Sequence, residues 1–560
     1  MNLLAAASPD YTPFWILAAG VIFVIASIVK FRLHPFLGLT LGAILVGLIT
    51  PELPGVASRD QASFMASYEQ ENQIYGEAPV APDAEQKKKL QNLNIEPDGN
   101  IGGQNHLVKA IKLSMIGFGN LVGGIGFVIA MAAIIGVCMM ESGAADRIVR
   151  RLMATLGEDR AAWAMLISGF VLSIPVFFDT VFFLLIPLAR ALALRTGKNY
   201  TLYVCAVAGA GAITHTIVPP TPGPLIIAEN LGQPAGNAII AGILAAVIPV
   251  AIVMWLANRF NDKLDIPIRE TKGSSLDKLS EIVKKKDDEL PGFGISLLPV
   301  LLPVVLISIV TFIGLAGKFG VTVPAELKKW LEFIGNKNVA MFIAALIAMY
   351  TLAKQRGWTF EKLGESMNTP LETAGVIILI TGAGGAFGSM IGHSGIGDTI
   401  RAIGVSEGGT AGMLFMAWLL TAVIRAAQGS ATVSMITGSG IMAPILAAMA
   451  ADGSLGCHPI YFCLAIGFGA FPLSWMNDSG FWVVQRMSGF TEKETLKTWT
   501  VMLTAIGVAG IIQVIVAAAI FPMKPDAPAE EPEKTAMVSS VEGWASPGNH
   551  PPLLPQQKSR

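Results

Sequence analysis

The residues best suited to chemistry lie inside apolar sequence. Ser173-Ile174-Pro175-Val176-Phe177-Phe178-Asp179 and Arg425-Ala426-Ala427-Gln428-Gly429-Ser430-Ala431-Thr432 each set one charge beside a helix-breaking or small-polar run. A charge at bilayer depth costs roughly 2.5–3.5 kcal/mol on insertion scales, so packing alone rarely accounts for one. Beside a broken helix it marks a transport site, here one for a small anion. Arg425 stays charged and grips a carboxylate through two parallel hydrogen bonds. Its alternative is a structural ion pair with Asp179 or Asp478. Asp179 suits either proton uptake and substrate hydroxyls or capping of the helix that follows it. Ser430 and Thr432 supply hydroxyls, and Gln428 an amide that both donates and accepts. Free N–H groups at a half-helix N-terminus favour anions.

Two further breaks carry polar groups. Thr214-His215-Thr216-Ile217-Val218-Pro219-Pro220-Thr221-Pro222-Gly223-Pro224 cannot continue as an α-helix. His215, which titrates near neutrality when unperturbed, is there either a proton relay or substrate donor, or a histidine satisfied by loosened carbonyls. Ser474-Trp475-Met476-Asn477-Asp478-Ser479-Gly480 interrupts a later span. The expected substrate-binding set is Arg425, Gln428, Ser430, Thr432, Asn477 and Thr216. The expected proton carriers are Asp179, His215 and Asp478, and no metal or cofactor is expected.

These groups need a membrane scaffold. The chain is 53% hydrophobic and only 14% charged, with a mean hydropathy of +0.59. A soluble globule averages about 25% charged residues. Runs such as 121–140, 235–256, 297–313 and 499–521 approach or exceed the roughly 20 apolar residues that cross a bilayer. The fold class expected is an all-α polytopic protein of the inner (plasma) membrane, with the lipid bilayer as its surroundings. A net charge of −1 gives no reason to expect a nucleic-acid partner. An intramembrane enzyme is disfavoured, because no nucleophile–base motif or paired metal carboxylates occur. Cys138, Cys205, Cys457 and Cys463 lack zinc-type spacing and read as helix-packing residues. Gly119-x-x-x-Gly123 and Gly384-x-x-x-Gly388-x-x-x-Gly392 read as close helix packing rather than nucleotide loops.

Three polar segments divide the chain. Residues 51–106 form an acidic loop with 9 Asp/Glu against 4 Lys/Arg. Residues 259–291 form a mixed-charge linker, and 523–560 a Pro/Glu-rich tail expected to be disordered. This gives first spans at 1–50, the rest of a first repeat at 107–258 and a second repeat at 292–522. A constant offset pairs Gly136, Ser142, Gly143, Asp146, Ile148 and Thr180 with Gly388, Ser394, Gly395, Asp398, Ile400 and Thr432. Placing the linker inside and the acidic loop outside puts 23 Lys/Arg on the cytoplasmic side against 11 outside. The segment between 141–160 and 190–198 must then enter and leave by one face. The expectation is two inverted repeats with opposed re-entrant hairpins and broken transmembrane helices, covered by protein or lining a cavity.

Ordered motifs connect the chain to a known family. They are E-S-G-A-A-D-R-I at 141–148, S-I-P-V-F-F-D at 173–179, L-L-I-P-L at 184–188, V-P-P-T-P-G-P at 218–224, R-A-A-Q-G-S-A-T at 425–432, N-D-S-G-F-W at 477–482 and K-E-T-L-K-T-W at 493–499. On these the sequence resembles the gluconate:proton symporter (gluconate permease) family over 13–50 and 107–522. The resemblance implies proton-coupled uptake of gluconate or a related small hydroxy-carboxylate. It also implies an ion-transporter superfamily fold, commonly a homodimer, with a moving hairpin domain. The chain departs from the family pattern at Thr221 and Trp475, where histidines are common, and at Thr180-Val181, where Val-Gly is common. Sodium-coupled transport of another small carboxylate or an amino acid is the alternative.

Overall fold

The computed structural model describes residues 11–56, 92, 104–264, 266–269, 289–318, 323–396, 399, 409–451, 453–476 and 478–523. Asn477, most of the acidic loop, most of the linker and the tail from 524 onward lie outside the described residues. Every described regular element is a helix.

The first half begins with α1 (Thr12–Val29) and α2 (Pro35–Ile49), the latter opened by a proline whose missing N–H costs nothing there. The long α3 (His106–Ser142) starts under an Asn105 cap and stops at Gly143, whose φ of 78° is the left-handed conformation glycine adopts freely. Next come α4 (Ala144–Leu156), α5 (Ala161–Leu172), α6 (Phe178–Thr196), α7 (Tyr200–Ile217), α8 (Pro222–Asn230), α9 (Ala235–Ala245) and α10 (Val247–Leu264). The second half holds α11 (Phe293–Lys318), α12 (Ala325–Ile334), α13 (Lys337–Arg356), α14 (Phe360–Ser366), α15 (Asn368–His393), α16 (Gly409–Gln428) and α17 (Ala431–Ala451). It closes with α18 (Pro459–Gly469), α19 (Ser479–Ser488), α20 (Glu492–Thr495), a π turn (Leu496–Thr500) and α21 (Val501–Ile520).

Nine helical stretches among the described residues are long and apolar enough to cross a membrane. This is a polytopic membrane protein. Helix α5, with 12 residues, rises only about 18 Å and falls short of a hydrocarbon core of about 30 Å. The same holds for α8, α18 and α19. By contrast, α16 and α17 have 20 and 21 residues, each a full span in length.

The chain breaks where the sequence predicts. Helix α5 ends before Ser173-Ile174-Pro175, α7 ends before Val218-Pro219-Pro220, and Pro222 opens α8. Helices α16 and α17 are parted only by Gly429, with φ of 88°, and Ser430. Helices α18 and α19 flank the break at 470–478.

The halves interlock. Helix α15 packs along α3, α2 and α17, while α8 of the first half lies on α17 and α18 of the second. The two glycine strings behave differently. An ideal Cβ at Gly388 would lie 2.8 Å from Gly440 Cα, and one at Gly384 would overlap Ile436, so α15 and α17 touch through these glycines. Among the described residues, Gly119 and Gly123 have nothing within 4 Å of such a Cβ. The packing expected of them is absent among the described residues: they sit on an open face of α3, and Gly117 makes the close approach, to Ser389 and Gly385. All four cysteines are buried and unpaired in disulfides.

Candidate transport site

Four interruptions, two from each half, bring their residues to one cavity of about 360 Å³. Phe177, Phe178, Asp179 and Thr180 come from the start of α6, and Ala212, His215 and Thr216 from the end of α7. Arg425 ends α16, Ser430 to Val433 open α17, and Ala470, Phe471 and Asp478 to Gly480 come from the break before α19. Seven of the nine sequence-predicted residues therefore line one space: Asp179, His215, Thr216, Arg425, Ser430, Thr432 and Asp478. Gln428 is not on the wall. Its Nε2 donates to the Ser430 carbonyl at 2.8 Å, so it ties the Gly429-Ser430 turn together. Asn477 lies outside the described residues.

Arg425 and Asp478 are paired. Arg425 Nη2 lies 2.6 Å from Asp478 Oδ2, with side chains 3% and 7% exposed, and Arg425 Nε donates to the Ala470 carbonyl at 3.0 Å. Of the two partners left open by the sequence, the structure selects Asp478. Its backbone is extended (φ −97°, ψ 132°) at the N-cap of α19, and Oδ1 accepts from Gly480 N at 3.0 Å. The same carboxylate thus starts a helix with one oxygen and holds the arginine with the other. Among the described residues, Arg425 Nη1 is buried without a hydrogen-bond partner, as is Nδ1 of His215.

Asp179 is placed differently. Phe177 is the N-cap of α6 and no side chain caps that helix, so Asp179 sits in the first turn, half-buried at the cavity wall. Its carboxylate lies by the positive end of a helix dipole. Ser430 Oγ accepts from Val433 N at 3.3 Å and caps α17. The apolar part of the wall comes from Ile377 and Ile380 of α15, the aromatic rings of Phe177 and Phe178, and Trp499 of the π turn. Sequence reasoning missed Trp499, Ile377, Ile380 and Thr373. The first three sit in apolar stretches whose residue types suit lipid, core or cavity equally. The signal available for Trp499 was a lone indole just after a polar segment. Of the three departures from the family pattern, only Thr180 reaches the wall. Thr221 bonds the Val218 carbonyl, and Trp475 donates to the Ala426 carbonyl at 3.2 Å.

The GntP family permease profile matches residues 103–520. The chain belongs to the GntP permease family. It is 35% identical over 410 residues to a gluconate permease of Pseudomonas aeruginosa, covering 73% of this chain and 87% of that one. It is 32% identical over 401 residues to the Gnt-II system L-idonate transporter of Escherichia coli K12, covering 71% and 87%. In three dimensions it is similar to the Alcanivorax borkumensis YdaH transporter, with a TM-score of 0.53 and 14% identity over 88% of this chain and all of that one. That likeness concerns the fold. The permease is a multi-pass inner-membrane transporter and not an enzyme.

Proposed function

We propose that this permease takes up gluconate or a related small hydroxy-carboxylate together with protons, by alternating access around the cavity between α6, α7, α16, α17 and α19. One observation carries the reading. Breaks from both halves of the chain deliver a buried guanidinium, a histidine and a carboxylate to one cavity beside the N-termini of α6, α17 and α19. The uncommitted Nη1 of Arg425 donates to the substrate carboxylate, and the α17 N-terminus adds its dipole. Thr216, Ser430 and Thr432 contact substrate hydroxyls from the cavity wall. The names of the relatives, gluconate permease and L-idonate transporter, point to the same class of polyhydroxy monocarboxylate.

Asp179 and His215 carry the coupling proton in this reading. Asp478 was an equal candidate from sequence, but its two oxygens are committed to Arg425 and Gly480, which suits a positioning role. Re-entry of the α5–α6 segment is supported by the shortness of α5 and by Pro175 at the turn. An inverted duplication is supported by the offset that relates the last residue of α7, Ile217, to that of α18, Gly469, and Thr180 to Thr432 on the cavity wall. The α16–α17 pair, at 20 and 21 residues, is longer than the α5–α6 pair at 12 and 19. The test is uptake of labelled gluconate into proteoliposomes carrying an inside-alkaline pH gradient and no sodium. Wild type accumulates the label unchanged and Arg425→Ala, correctly inserted, does not. Normal uptake by that variant would end this reading of the cavity.

A further inference from the structure

The Arg425–Asp478 pair is backed by a hydrogen-bonded relay that reaches the cavity wall again at Trp499. Trp499 Nε1 lies 2.7 Å from Ser474 Oγ, and Ser474 Oγ is bonded to Asp478 Oδ2, the oxygen that holds Arg425. An indole N–H only donates, so Ser474 Oγ accepts from Trp499 and its own hydrogen goes to Asp478. The direction of every bond is fixed: tryptophan to serine, serine to aspartate, arginine to aspartate. Ser474 is fully buried and Trp499 is 3% exposed, so water does not compete for these bonds. Such chains strengthen one another where the surroundings are poorly polarisable.

The backbone is shaped to make the relay. Trp499 lies in the π turn Leu496–Thr500, and the next residue, Thr500, donates through Oγ1 to the Ser474 carbonyl. Single π turns inside α-helices concentrate at functional sites, because the extra residue re-aims neighbouring side chains. On the other side Leu473 has φ of 56°, a left-handed conformation unusual for a leucine, and its N–H donates to Thr504 Oγ1 at 3.2 Å. The irregular Leu473-Ser474 segment is thus held by three hydrogen bonds, two to the π turn and one to Thr504 in the first turn of α21. Local strain of this kind persists where surrounding structure over-determines it.

We infer that Trp499 is a positioning residue for substrate recognition: through Ser474 it fixes the Asp478 carboxylate, and so the direction in which Arg425 presents its free Nη1. This rests on the cavity being the transport site. Losing one buried hydrogen bond of the relay should weaken substrate affinity about fivefold. The experiment measures initial rates of gluconate uptake in proteoliposomes over a range of concentrations. Trp499→Phe keeps a ring and loses the N–H, and Ser474→Ala breaks the same relay while leaving the ring. Trp499→Phe raises KM about fivefold and Ser474→Ala, which loses both relay bonds, at least fivefold, each with Vmax nearly unchanged. The double variant is no worse than Ser474→Ala alone. Were Trp499→Phe to fail to insert, Ser474→Ala alone would decide. A KM within twofold of wild type in an inserted variant, or single effects that multiply in the double variant, overturns the inference. Arg425→Ala run alongside separates the two claims. If it transports normally the cavity assignment fails, whereas if it is inactive and the relay variants are unchanged only the relay fails.

Discussion

Arg425 and Asp478, 53 residues apart in sequence, meet at 2.6 Å with almost no exposure to solvent. The pairing changes what an incoming anion encounters. An isolated buried guanidinium would hold a carboxylate as a full counter-charge and release it slowly. A guanidinium already balanced by aspartate offers a directed donor, Nη1, with little net charge behind it. A carrier that must let go of its cargo on the far side gains from that weaker grip.

Asp478→Asn tests this arrangement. The amide keeps an oxygen for Gly480 N, so the α19 cap survives, but the guanidinium loses its counter-charge. Breaking one side of a buried pair costs about 3–5 kcal/mol, so the empty variant should unfold at lower temperature than wild type. Gluconate then supplies the missing negative charge. The expected result is a larger ligand-induced rise in melting temperature for Asp478→Asn than for wild type, with slower turnover. Equal rises would show that Arg425 does not meet the carboxylate.

The breaks were readable from sequence because proline and glycine act locally. Pro175, Pro219, Pro220 and Gly429 stop or redirect a helix whatever surrounds them. The convergence of Asp179 and Arg425 was readable because charges in apolar sequence need a shared polar space. The partner of Arg425 was not, since choosing between Asp179 and Asp478 requires a distance across separate helices. Trp499 and Ile377 were hidden for another reason: in a membrane protein, lipid-facing and cavity-facing walls draw on the same apolar residues. Gly119 and Gly384 show the limit most plainly. Their four-residue spacing is identical, and only the neighbouring helix decides that Gly384 is packed and Gly119 is open.

Asp179 provides a prediction about coupling. It stands in the first turn of α6 on the cavity wall, where a carboxylate can exchange a proton with the site as the site changes sides. Asp179→Asn keeps the shape and removes the titration. Uphill accumulation of gluconate driven by a pH gradient should fall at least tenfold. Exchange of labelled for unlabelled gluconate across the same membranes should persist within about threefold, because exchange needs no net proton movement. Retained pH-driven accumulation would remove Asp179 from the coupling path and leave His215 to carry it.

The two glycine strings give a paired prediction about stability. At Gly388 an added methyl group would meet Gly440 Cα at 2.8 Å and its carbonyl oxygen at 3.0 Å, both backbone atoms that cannot swing aside. Gly388→Ala must therefore push α15 away from α17, and overpacking of this kind costs about 1–3 kcal/mol. Because Ser430 to Val433 open α17 and line the cavity, the displacement should also reach substrate affinity. Gly123→Ala places its methyl group in open space and removes a residue about 1 kcal/mol less favourable in helices than alanine. Thermal unfolding in detergent should rank Gly388→Ala below wild type and Gly123→Ala at or above it. Equal loss at both positions would mean that the open face of α3 is covered in the working protein, by a second copy or another partner.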